Sequence, residues 1–127
     1  MPDRFDTGMA VRRSVLGDAH VDRAEAAKTE YDLPFQTLIT ESAWGNVWAS
    51  DAIPRRERSM LTLALLAATG NFEEISMHVR AATRTGASRS DIMEAFQHVA
   101  RTGNGGSFLP GLGVRIRRGL GPVQVGA

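Results

Sequence analysis

The stretch IPRRERSMLTLALLAATGNFEEISMHVRAATRTG, residues 53–86, holds two helical patterns back to back with a glycine between them. Pro54 stands near the first position of the first pattern, where its missing N–H costs nothing. From Met60 to Ala68 that pattern is apolar nearly all round, which predicts a central, buried helix. Gly70 ends it. Asn71 then suits the N-cap of a second helix. Phe72, Ile75, Val79 and Ala82 recur at helical spacing and predict its buried stripe.

This second helix also raises a chemical question. Glu74 and His78 lie four residues apart, so their side chains can touch. One reading is structural: Glu74 falls at the third helical position after Asn71, the acid of a capping box, where it also suits the positive helix end. The other reading is functional. A carboxylate beside an imidazole fixes its tautomer and favours its protonated form. At the rim of a core, such a pair can move a proton near neutral pH. The spacing leaves both readings open.

Working outward, SRSDIMEAFQHVARTG repeats the pattern. Ser88 and Asp91 form a capping-box variant, and Ile92, Ala95, Phe96 and Val99 make the stripe. His98 falls off that stripe, as a structural or exposed residue. Upstream, DRFDTGMAVRRSVLG places Phe5, Met9 and Leu16 on one face and Arg12 on the same face. A cation there must be paired or must line a polar site. Gly17 predicts a helix stop. DAHVDRAEAAKTEYD is helical in composition, with His20 placed at a turn, a fair position for a site residue. In LPFQTLITESAWGNVWAS, Phe35, Leu38, Ile39 and Ser42 form one stripe, while Trp44 and Trp48 point to the opposite side. Either both faces are core, or one meets a partner subunit or a pocket.

No segment alternates as a strand does, so the fold class read from the sequence is all-α. The 127 residues suit one domain. Fifteen basic and 14 acidic residues leave a formal charge of +1, which argues against charge-driven nucleic-acid binding. With no cysteine there is no disulfide, thiolate metal site or thiol redox centre. No apolar run approaches the roughly 20 residues of a membrane span. The N-terminus lacks the apolar run of a leader, so the expectation is a soluble, cytoplasmic protein with no membrane partner. The three histidines, His20, His78 and His98, are scattered and carry no short ligand motif, so no metal site is expected. Arg12, Arg55, Arg56, Arg58 and Arg80 supply cations able to hold a carboxylate ligand. From residue 103 the texture changes to a glycine- and arginine-rich segment without acids, read as an irregular tail over 103–127 after a helical domain over 1–102.

Four stretches together, FDTGMAVRRSVLGDAHVDRA, FQTLITESAWGNVW, IPRRERSMLTLALLAATG and EEISMHVRAATRTGASRSDIMEAFQHVA, resemble the 4-carboxymuconolactone decarboxylase family in order from about residue 5 to residue 100. VLGDAHVDR and AWGNVW carry most of that specificity. After Gly103 the chain departs from the family's usual last helix. The resemblance implies an AhpD-like all-α fold and a ring-like homo-oligomer, a trimer or hexamer. It implies cofactor-free conversion of 4-carboxymuconolactone to 3-oxoadipate enol-lactone, in the protocatechuate branch of the 3-oxoadipate pathway. The peroxidase relatives of this fold use a Cys-x-x-Cys pair on the helix that here holds Glu74 and His78, and this chain has neither cysteine. By resemblance, His78 oriented by Glu74 is the proton donor. His20, Arg12, Arg55 and Arg58 are the candidates for substrate binding, and Trp44 and Trp48 for the pocket wall. The same site could serve another small lactone or acyl substrate, or the altered C-terminus could leave a non-catalytic helical oligomer.

Overall fold

The computed structural model describes residues 3–102, with side chains described as far as Ala100. The segment 103–127, read from the sequence as a tail, lies outside the described residues. All regular structure among the described residues is helical: α1 (Arg4–Leu16), α2 (Asp18–Ala27), α3 (Leu33–Ile39) continuing into a π-helical segment (Thr40–Trp48), α4 (Arg55–Thr69), α5 (Phe72–Thr85) and α6 (Arg89–Thr102). The chain divides into two compact units, Met1–Pro54 and Arg55–Ala127.

In the first unit, Asp3 caps α1 by accepting the Asp6 N–H at 2.8 Å. Gly17 stops it with φ 89°, a conformation that favours glycine, and its N–H donates to the Arg13 carbonyl. Across that bend, Arg13 pairs with Asp18 at 3.2 Å and Asp22 at 2.8 Å. Helix α1 packs against the π-helical segment through two glycines. A Cβ added at Gly8 would stand 2.0 Å from the Thr40 carbonyl oxygen, and one at Gly45 would stand 2.7 Å from the Arg4 carbonyl oxygen. The two backbones therefore touch with no side chain between them.

That crossing settles which face of the tryptophan helix is core. Trp44 and Trp48 are buried, with ring centroids 5.3 Å apart at 34°. The opposite stripe is not buried: Phe35 is 61% and Leu38 59% exposed. Of the two alternatives for this helix, the structure shows one face inside and one uncovered in the single chain. The winding of residues 40–48 as a π-helix was not read from the sequence, because no residue pattern marks it.

In the second unit, α4, α5 and α6 enclose one core. Leu63 and Ala67 of α4 meet Ile75, Val79 and Ala82 of α5 and Ile92, Phe96 and Val99 of α6. The α5 and α6 stripes are those read from the sequence. Ser88 and Asp91 form the expected reciprocal cap, each backbone N–H donating to the other side chain at 2.9 and 3.0 Å. Asp91 also accepts Arg56 Nε at 2.8 Å and Nη2 at 2.6 Å, a two-pronged pair that ties α4 to the start of α6. Two expectations need correction. Helix α4 is not buried all round: it buries Ser59, Leu63 and Ala67, while Leu61 is 56% and Leu65 65% exposed. The core takes Leu63 and Ala67 fully, with Ala64 and Leu66 partly buried against it. Asn71 precedes α5 but does not cap it through its side chain; its Nδ2 donates to Thr69 Oγ1 at 2.9 Å instead.

Two predictions follow from these contacts. Gly8→Ala should lower stability by about 1–3 kcal/mol or more, because backbone cannot yield to the new methyl as a side chain would. Both tryptophans lie in the first unit, so their fluorescence during urea unfolding checks it. The hydrogen bonds from Arg56, then from Ser88, hold the Asp91 carboxyl well below its usual range. Its contribution is therefore present above the unfolded value of about 3.9 and lost as pH falls through the depressed one. Asp91→Asn should destabilise at pH 7, with a gap to wild type that persists near pH 4 and narrows only in stronger acid. Urea midpoints across that range check it.

Candidate active site

Helix α5 carries its chemistry on its inner face. Ile75, Val79 and Ala82 are buried, and Ser76, His78 and Thr85 are buried with them. His78 falls three residues after Ile75 and one before Val79, so burying the stripe takes the imidazole in with it; it is 5% exposed. Its Nδ1 is buried and outside any hydrogen bond among the described residues, while the residue makes other interactions. Glu74, one turn earlier, is exposed. The two sequence candidates thus occupy the inside and the outside of one helix edge.

Ser59 and Thr85 fix where α4 stands against α5. Both side chains are buried, and their oxygens are 2.6 Å apart. Thr85 Oγ1 also donates to the Ala82 carbonyl at 3.4 Å, which leaves Ser59 as the donor in the shared bond. The hairpin is antiparallel, so this pair sets the register. Residue 58 then aligns near residue 86, about 12 Å along the axis from His78, and residue 55 about 16 Å. Arg58 is half-buried and Arg55 exposed. Of the two candidate arginines in this unit, Arg58 stands at the level nearer to residue 78 along the helix axis.

The remaining candidates belong to the first unit. Arg12 is buried and pairs with Glu25 at 3.1 Å, as a cation on an apolar face requires. Glu25 also accepts Lys28 at 2.6 Å, and Lys28 first, then Arg12, holds its carboxyl below the usual range. The sequence reading did not single out Glu25 or Lys28; the signal available was the buried cation, which demanded an acid. His20 is half-buried and sits in the first turn of α2, not in the turn expected for it. Trp44 and Trp48 are the stacked pair already described. Ser59 and Thr85 were also missed. Ser59 stands on the stripe of Leu63 and Ala67 at intervals of four, and that placement was the available sign.

Elsewhere in the second unit, Met60, Leu61, Ala64, Glu94, Ala95 and His98 line a cavity of about 350 Å³. None of the sequence-predicted site residues lines it. Among the described residues no group of three or more His, Cys, Asp or Glu side chains is placed to hold a metal ion. Nor is any of their helices long and apolar enough to cross a membrane.

The model of the carboxymuconolactone decarboxylase family matches residues 34–113, more than half of the chain. This chain belongs to that family. The match begins later than the resemblance read from residue 5 and runs past residue 103. The 4-carboxymuconolactone decarboxylase of Acinetobacter baylyi is 37% identical over 95 residues, covering 75% of this chain and 71% of that protein. The nitrosuccinic acid decarboxylase of Metarhizium robertsii is 41% identical over 96 residues, covering 76% and 67%. A 4-carboxymuconolactone decarboxylase sequence of Pseudomonas putida is 51% identical over 43 residues, 34% of this chain and 90% of that sequence. No solved structure matches at the same stringency. The family's all-helical fold agrees with the six α-helices found among the described residues.

Thr85→Val tests the register pin. It strands the buried Ser59 hydroxyl and should cost about 1–3 kcal/mol. Adding Ser59→Ala removes the stranded group and should recover part of that loss. Denaturant midpoints of the single and double variants check both values.

Proposed function

We propose that this carboxy-lyase removes carbon dioxide from 4-carboxymuconolactone without a cofactor and yields 3-oxoadipate enol-lactone. The observation that carries this reading is family membership, with a relative of that name aligned over three quarters of the chain. The chemistry needs little from the protein. The departing carboxylate sits on a carbon conjugated, through the ring double bond, to the lactone carbonyl. When the bond to carbon dioxide breaks, the electron pair spreads into that carbonyl as a dienolate. The protein must hold the retained carboxylate, stabilise the developing oxyanion and deliver a proton to carbon.

His78 is the proposed proton donor. Its buried position suits the role, since an imidazole screened from water acts in a low-dielectric surrounding where its charge counts for more. Glu74, on the same helix edge, is the proposed orienting acid. Arg58 is the first choice for holding the retained carboxylate, with Arg55 behind it. Arg12, His20, Trp44 and Trp48 are proposed as further substrate-binding residues, each to be weighed by its own variant. The same reading includes a homo-oligomer, a trimer or hexamer. The uncovered Phe35 and Leu38, and Leu61 and Leu65, are apolar surface available for it. It also places the enzyme in the cytoplasm, where small organic acids are processed.

A second reading comes from the Metarhizium robertsii relative, whose name gives nitrosuccinic acid as its substrate. That molecule shares a unit with 4-carboxymuconolactone. In both, a carbon carrying the departing carboxylate also bears a CH2–carboxylate arm and an electron acceptor. The acceptor is the conjugated lactone in one and the nitro group in the other.

Loss of 4-carboxymuconolactone, followed by ultraviolet absorbance, tests the proposal. Wild type should turn it over, and His78→Gln should lower kcat by about 10²–10⁴-fold, the usual worth of a positioned general acid. Equal rates for both proteins would remove His78 from the mechanism. No turnover by folded wild type would remove the substrate.

A further inference from the structure

We infer that residues 103–112 turn back at the end of α6 and seat Phe108 and Leu109 in the cavity between α4 and α6. The inference is independent of the substrate reading.

The cavity suits apolar side chains. Met60, Leu61, Ala64 and Ala95 line it, and Leu61 is more than half exposed. Apolar surface of this kind gains free energy when it is covered. Glu94 and His98, both exposed, supply the polar part of the lining.

The alignment of α4 with α6 gives the path. Arg56 binds Asp91, 35 positions away, and Met60 and Ala95 line one cavity at the same interval, so the two helices run parallel at that offset. Leu65 then stands at the level of residue 100. It lies one turn beyond Leu61 on the same side of α4, and it is 65% exposed. A chain returning from the end of α6 passes Leu65 first and then reaches the cavity.

The sequence after α6 has the length and composition for that return. Helix α6 ends at Thr102, and Ala95 lies about 10 Å back along its axis. Residues 103–108 reach up to about 20 Å when extended, so both the turn and the return fit. Gly103, Gly105 and Gly106 suit the turn, because a helix that ends on glycine can reverse through the left-handed conformation. Phe108 is the one aromatic residue after α6, and Leu109 follows it. The family match runs to residue 113, so it takes in both of them and leaves Arg115, Arg117 and Arg118 outside. Charge agrees as well: residues 103–127 hold no acid, and the cavity presents Glu94. A segment tethered so close has a local concentration of about millimolar order, which favours it over a second copy or a small apolar molecule. The homo-oligomer then has Phe35 and Leu38 of the first unit as its apolar surface.

The chain has no cysteine, so two engineered cysteines report a single contact. In the full-length protein, Glu94→Cys with Ser107→Cys puts one thiol at the cavity and one beside Phe108. Arg80→Cys with Ser107→Cys is the control, because Arg80 is exposed on α5 and lines no part of the cavity. Oxidised glutathione should close the cavity pair about tenfold faster, in a product of monomer mass and after normalising to each thiol's own alkylation rate, since a disulfide needs its Cβ atoms within about 4.5 Å. Adding Phe108→Ser should bring the cavity pair down to the control rate, with the circular dichroism spectrum unchanged. Equal rates for the two pairs would overturn the inference and leave the cavity to a small apolar ligand. A cross-link found only at twice the monomer mass would also overturn it and assign the cavity to a second copy. A fast monomer cross-link that survives Phe108→Ser would overturn the anchoring by Phe108.

Discussion

The shared hydrogen bond between Ser59 and Thr85 is the constraint on which the chemical half of the structure depends. It is buried between α4 and α5, so the Ser59 hydroxyl would lose its acceptor if the helices slid, while Thr85 would keep its bond to the Ala82 carbonyl. A slip of one turn would shift Leu63 and Ala67 within the shared core and strand the Ser59 hydroxyl. The bond therefore does more for specificity than for gross stability. It sets the level at which Arg58 stands relative to His78, and the Arg56–Asp91 pair holds the start of α6 to the same helix.

What this register presents is a buried imidazole beside an exposed acid. His78 is 5% exposed, whereas Glu74, one turn earlier on the same helix, faces solvent. In the first unit the logic differs. Arg12 is already balanced by Glu25, and Glu25 by Lys28, so the local charge is largely settled within the fold itself.

Much of this was legible in the sequence because it rests on local chemistry. The α5 and α6 stripes, the Ser88–Asp91 cap and the Gly17 stop depend on residues within one or two turns of one another. The demand that Arg12 be paired was also legible, though not its partner, since that contact spans 13 positions. Helix α4 misled because composition shows how apolar a helix is but not how many faces its neighbours cover. Leu61 and Leu65 look the same as Leu63 in sequence and differ only in what stands opposite. The π winding of residues 40–48 and the Gly8–Gly45 contact were hidden for a related reason: both depend on how two backbones cross. Of the site, the Glu74–His78 spacing could be read directly, whereas the difference in exposure between them required the packed core.

The most direct test of the account is the pH dependence of kcat/KM for 4-carboxymuconolactone, measured on wild type and His78→Gln. A general acid must carry its proton, so wild-type kcat/KM should fall towards high pH, and that descending limb should be absent from the residual activity of the variant. A limb of the same position and depth in both proteins would contradict the assignment of His78 as the proton donor.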